Sequence, residues 1–143
     1  ILAGRRLNDN MGNYVSGQLI KAMIKKGINV EGSNVLILGF TFKENCPDIR
    51  NTRIIDVVKE LGNYSCNVDI FDPWVDAEEV EEEYGIIPVS EIKAASYDAI
   101  IVAVGHEQFK KMGSTDIRGF GKDKHVLYDL KYILSPEQSD VRL

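Results

Sequence analysis

Two short runs, Asn34-Val-Leu-Ile-Leu-Gly-Phe40 and Ala99-Ile-Ile-Val-Ala-Val104, carry apolar side chains at nearly every position. A strand with one wet face alternates apolar and polar residues; a strand apolar throughout is covered on both faces. A chain containing two such strands must therefore place helices on both sides of a sheet. Its 143 residues, 44% of them hydrophobic, can build that core without disulfides or a structural metal.

The remaining pattern alternates helix and strand. Leu7, Met11, Tyr14, Val15, Leu19, Met23 and Ile24 recur at helical spacing, which predicts a long helix over 5–26. Lys25 and Lys26 suit its last turn, and Gly27 stops it. An amphipathic helix is expected over 53–61, a strand over 67–71, and an acidic helix over 76–84 capped by Asp76. Ile86-Ile-Pro-Val89 reads as a short edge strand and 90–95 as a short helix capped by Ser90. A short helix over 107–112 and a strand over 125–128 complete the pattern. These βαβ units predict an α/β fold: a three-layer, Rossmann-like open parallel sheet of about five strands, with a long N-terminal helix.

In such sheets ligands bind beyond the carboxyl ends of the strands. The loop after the first strand is thus the informative one. A dinucleotide fingerprint would show three spaced glycines there; this chain has Gly39 followed by Phe40, Thr41, Phe42 and Lys43. The loop offers cations instead, Lys43, Arg50 and Arg53, leading into a helix N-terminus. One lysine and forked arginines suit a diphosphate. The same residues also suit surface cations paired with Glu44 and Asp48.

The formal net charge of −5 argues against nonspecific nucleic-acid binding. No apolar run approaches the roughly 20 residues of a membrane span, and no secretory pattern opens the sequence. Cys46 and Cys66 lack metal-ligand spacing and read as reduced thiols, as in a cytoplasmic protein.

The loop also carries a resemblance. Gly39-Phe-Thr-Phe-Lys-Glu-Asn-Cys-Pro-Asp-Ile-Arg-Asn-Thr52 resembles the signature of the C-terminal, UDP-binding domain of the UDP-glucose/GDP-mannose dehydrogenase family. Arg6-Leu-Asn-Asp9 looks like the end of that family's central helix, Ile70-Phe-Asp-Pro73 like its second strand and turn, and Tyr128-Asp-Leu-Lys131 like its last strand and loop. The loop, together with Ala3-Gly-Arg-Arg-Leu-Asn-Asp9, is similar to the branch acting on UDP-N-acetylhexosamines in Vi-antigen and O-antigen polysaccharide synthesis.

The resemblance implies oxidation of a UDP-sugar C6 alcohol to a carboxylate with two NAD and a cysteine nucleophile. That cysteine belongs to a Phe-Gly-Gly-x-Cys motif, which this sequence lacks, as it lacks the NAD fingerprint. The expectation is a C-terminal domain that cannot turn over alone. Residues 1–30 would be the end of a linker and dimerisation helix, and 31–143 the UDP-sugar domain. NAD would be bound mainly by an N-terminal catalytic domain of the same protein, within a homodimer or larger homo-oligomer.

By the same resemblance Phe42, Lys43 and Lys131 would contact the UDP-sugar, Arg50 would reach NAD, and Asp48 would orient the loop. Lys131 replaces the family's usual Arg, keeping the charge and losing the fork.

From their positions alone, Asp72 reads as a structural Asp-Pro turn ahead of a ribose-binding acid, His106 as a cap for the following helix ahead of a contact to uracil or ribose, and Trp74 as a packing residue ahead of a base-stacking one. His125 reads as structural, and Arg5 and Arg6 as interdomain or dimer surface. Two other functions remain open at this point. One is a free-standing flavodoxin-like interaction module whose basic loop binds a protein. The other is an independent NAD-binding domain, which the glycine pattern disfavours.

Overall fold

A computed structural model describes residues 11–143. The first turns of the expected N-terminal helix, with Arg5, Arg6 and Arg6-Leu-Asn-Asp9, lie outside the described residues. Nine helices and strands follow in the described chain: α1 (Met11–Lys25), β1 (Asn34–Leu38), α2 (Ile54–Asn63), β2 (Asn67–Phe71), α3 (Ala77–Tyr84), β3 (Tyr97–Val102), α4 (Glu107–Arg118), β4 (Gly121–Asp129) and β5 (Val141–Arg142). A single 3-10 turn, Pro136–Gln138, precedes β5.

All five strands are parallel, in the order β2-β1-β3-β4-β5. The two runs apolar on both faces are β1 and β3, which lie side by side inside the sheet. Their pleat divides the core. Val35 and Ile37 of β1 with Ala99 and Ile101 of β3 meet Val15, Leu19 and Met23 of α1 and Val57 and Leu61 of α2. Leu36 and Leu38 with Ile100 and Val102 face the other way, onto Phe109 and Ile117 of α4. Apart from Ala99, each of these covered side chains contributes about 1.5–3 kcal/mol of burial.

Helix α1 is thus integral to this core. It approaches α2 closely: a Cβ placed on Gly12 would lie 2.7 Å from Asp56 Cβ. Gly27, at φ +76°, turns the chain out of α1 as its position in the sequence suggests. Asp76 caps α3 by accepting from the Glu78 N–H at 3.0 Å.

Three expectations need correction. Residues 86–89 form no strand; Val89 N–H donates to Ile70 O at 2.8 Å, but the preceding Pro88 has no N–H with which to extend a ladder. Residues 90–95 form no helix. Ala95 sits at φ +53° and its N–H goes to Gly119 O, so the segment runs as a turn-rich strap with Ile92 on the α4 side of the sheet. Helix α4 runs past residue 112 to Arg118, kinked at Gly113, whose φ of +71° permits the bend. The fifth strand is β5, which the sequence reading missed.

Candidate functional site

The helices after β1 and β3 leave on opposite faces of the sheet, α2 on one and α4 on the other. This makes the gap between the 39–53 loop and the 103–106 loop the switch point of the fold, where such sheets take their ligands.

In this chain the gap is filled from within. Asp72, just beyond β2, is buried, and its Oδ2 accepts from Phe40 N–H at 2.6 Å and Thr41 N–H at 3.1 Å. Its Oδ1 accepts from Trp74 N–H at 2.8 Å. His106 Nε2 lies 3.0 Å from Asp72 Oδ2, with both side chains fully covered. Burial alone would push the Asp72 carboxyl up. The bonds from His106, Phe40 and Trp74 outweigh it and hold the group below the ordinary carboxylate value.

The other side of the ring is also used. Asn45 N–H donates to His106 Nδ1 at 2.9 Å. The hydrogen-bond pattern therefore assigns the ring proton to Nε2, which faces Asp72 and, at 3.2 Å, Thr41 Oγ1. Thr41 in turn donates to the carbonyl of Lys43 at 2.9 Å. Asn45, at φ +56°, accepts from Glu107 N–H through Oδ1 at 2.9 Å and so caps α4. His106 occupies the N-cap position but makes no capping bond with its side chain, which corrects the capping expectation. Trp74 donates through Nε1 to Gln108 Oε1 at 3.1 Å and is half-buried.

This arrangement does not fit a dinucleotide. The N–H groups of residues 40 and 41, which would have to meet a pyrophosphate after the first strand, are already bound to Asp72. Nor is there room at Gly39 for a side chain: a Cβ there would lie 2.6 Å from Val104 Cβ, at φ +103°.

The candidate ligand-contacting residues lie around the rim of this filled gap. Phe42 is 60% exposed, Lys43 is exposed beside it, and Phe42 N–H closes the loop onto Asp48 O at 2.9 Å. Lys131, just after β4, is exposed and flanks Gly105; Lys110 of α4 also lies next to that glycine. Lys110 was missed in the sequence because nothing links it to the loop in spacing.

Arg50 is oriented by Asp48, whose Oδ1 accepts from its Nε at 3.0 Å and its backbone N–H at 2.9 Å. This pairing, through the Arg50 side chain first, lowers the Asp48 pKa and raises that of Arg50. Arg50 lines a hollow of about 430 Å³ with Cys46, Pro47, Asp48, Ile49 and the acidic residues Glu79, Glu82 and Glu83 of α3. Lys43 does not line that hollow. The surroundings of Arg50 are thus acidic, with three carboxylates of α3 lining the same hollow.

His125, expected to be structural, bonds through Nδ1 to Lys122 O at 2.7 Å and lies 3.1 Å from Arg118 through Nε2. Among the described residues there is no cluster of metal-ligating side chains, and no helix is long and apolar enough to cross a membrane.

Fold and site together define a doubly wound nucleotide-type domain whose own crevice is closed and whose rim carries exposed cations. Residues 36–136 match the model of the UDP-glucose/GDP-mannose dehydrogenase family, UDP binding domain, and the chain belongs to that family. Along all 143 residues it is 89% identical to a UDP-N-acetyl-D-glucosamine 6-dehydrogenase of Salmonella typhi and 59% identical to one of Pseudomonas aeruginosa. It spans 34% of the length of each of these relatives. Among solved structures, an NDP-N-acetyl-D-galactosaminuronic acid dehydrogenase from Methanosarcina mazei shares the fold with a TM-score of 0.82. That likeness covers 96% of this chain and 28% of the other, at 22% identity.

Proposed function

We propose that this chain is the UDP-binding domain of a UDP-N-acetyl-D-glucosamine 6-dehydrogenase, serving surface polysaccharide synthesis. The observation that carries the reading is the 89% identity to such an enzyme across every residue of the chain.

The chemistry is a four-electron oxidation. A C6 CH₂OH becomes a carboxylate, two NAD⁺ each accept a hydride, and water supplies the second oxygen. This domain contributes no nucleophile to it: Cys46 lies in the loop and Cys66 is buried ahead of β2. The nucleophilic cysteine and the main NAD site belong, on this reading, to the remaining two thirds of the protein.

The work of the domain is binding. Phe42 and Lys43 present an apolar surface and a positive charge to the UDP-sugar, and Lys131 adds a second charge from the β4 loop. A charge-assisted hydrogen bond of this kind is worth about 1.5–3 kcal/mol. Arg50, paired with Asp48, offers one contact to NAD carried by the other domain.

The same reading places the protein in the cytoplasm, where both thiols stay reduced, as a homodimer or larger homo-oligomer. Tyr14 and Ile24, exposed on α1, are available to such an interface. The test is a turnover assay of the full-length protein with UDP-N-acetylglucosamine and NAD. Two NADH formed per uronic acid support the reading; no oxidation of any UDP-hexose or UDP-N-acetylhexosamine overturns it.

A further inference from the structure

The His106 ring has no polar atom left over and no exposure to solvent. It joins three separate chain segments: the end of β2 through Asp72, the 41–45 turn through Thr41 and Asn45, and its own β3–α4 loop. Phe42 and Lys43 lie between the two points at which the ring holds that turn. Without the ring, Asp72 would lose a partner in a covered site, the half-buried Asn45 N–H bond would be lost, and Thr41 would be free to release the Lys43 carbonyl.

A ring in this place also resists replacement by simple packing. Asn45 is held in the left-handed region, which an L-residue adopts at some cost. Its N–H and its Oδ1 are both directed across the gap, to His106 Nδ1 and to Glu107 N–H. Packing alone would not select that conformation; two directed bonds do.

We propose that His106, oriented by Asp72, is a positioning residue for substrate binding: it fixes the 41–45 turn so that Phe42 and Lys43 meet the UDP-sugar in one geometry. The inference rests on the proposed function, since it assigns the turn a sugar-nucleotide ligand. His106 itself touches no reacting atom. Its effect falls on the affinity for the UDP-sugar and largely spares that for NAD, which on the proposed function is held mainly by the other domain and touches this loop only through Arg50, outside the 41–45 turn.

The experiment uses the full-length dehydrogenase. His106→Phe keeps a ring and removes its bonds to Asp72, Thr41 and Asn45; it is expected to raise KM for UDP-N-acetylglucosamine by about tenfold or more. KM for NAD is expected to stay within about twofold. His106→Gln, whose amide can still donate to Asp72 and Thr41, recovers part of the loss. If His106→Phe fails to fold, Thr41→Val reads the same link, because it removes only the hydroxyl between the ring and the Lys43 carbonyl. It too is expected to raise the UDP-sugar KM selectively.

An unchanged UDP-sugar KM in the folded variants overturns the inference, as does an equal rise in both KM values. Either result, with an active wild-type enzyme, leaves the proposed function standing. A wild-type enzyme that oxidises no UDP-sugar removes the functional reading and this inference with it.

Discussion

Asp72 Oδ2 accepts the backbone N–H of Phe40 at 2.6 Å, and so places a carboxylate where a dinucleotide-binding domain would place a phosphate. The negative charge that this turn stabilises is built into the chain. Asp72→Asn keeps the shape and removes the charge from a site holding three N–H donors and an imidazole. It should cost about 2–4 kcal/mol of folding stability. Urea unfolding of wild type and variant at neutral pH measures this.

Acid should weaken the fold through two carboxyls. Asp72 titrates below its ordinary value of 3.8, and so does Asp140. For Asp140, burial acts upward, but Arg118, the Leu127 N–H and Lys26 together outweigh it. A carboxyl depressed in the folded chain binds fewer protons there than when unfolded. Its contribution is complete above the unfolded pKa and is lost as pH falls through the folded one, from roughly pH 5 downward. The urea midpoint should fall over that range, and less steeply in Asp140→Asn.

The α1–α2 contact should distinguish two glycines in one helix. A Cβ on Gly12 would press on Asp56, 2.7 Å from its Cβ and 2.9 Å from its backbone carbon, whereas nothing lies within 4 Å of one on Gly17. Gly12→Ala should destabilise by about 1–3 kcal/mol. Gly17→Ala should stabilise by about 0.5–1 kcal/mol, the ordinary gain of alanine over glycine inside a helix. Thermal melting of the two variants checks both signs.

Much of this architecture can be read from local signals. The doubly apolar runs marked β1 and β3 as inner strands, Asp76 marked the start of α3, and Gly27 marked the end of α1. Local signals misled over 86–95, where Ile86, Ile87 and Val89 suggested a strand and Ser90 a cap. Pro88 and the left-handed Ala95 prevent either element from propagating. The two residues of β5 are too few to show a period. The Asp72–His106–Asn45 network was illegible for another reason. Its members stand 34 and 61 positions apart, and such bonds leave no pattern in the sequence. The loops bearing Phe42, Lys43 and Lys131 were legible because strand ends place them, whereas the division between Lys43 and the acidic hollow beside Arg50 needed the position of α3.

The two cations of the loop should separate kinetically in the full-length enzyme. Lys43→Ala should raise KM for the UDP-sugar about 10- to 100-fold, the loss of one charge-assisted bond. Arg50→Ala should raise KM for NAD and leave the melting temperature unchanged, because the Arg50–Asp48 pair is open to solvent. Steady-state assays varying one substrate at a time measure both.

The most direct measurement is a crystal structure of the full-length protein with a UDP-sugar bound. The account predicts the nucleotide sugar against the rim of this domain, with Lys43 Nζ hydrogen-bonded to it and the Asp72–His106 pair still closed behind. A nucleotide sugar that touches neither the 39–53 loop nor Lys131 would contradict it.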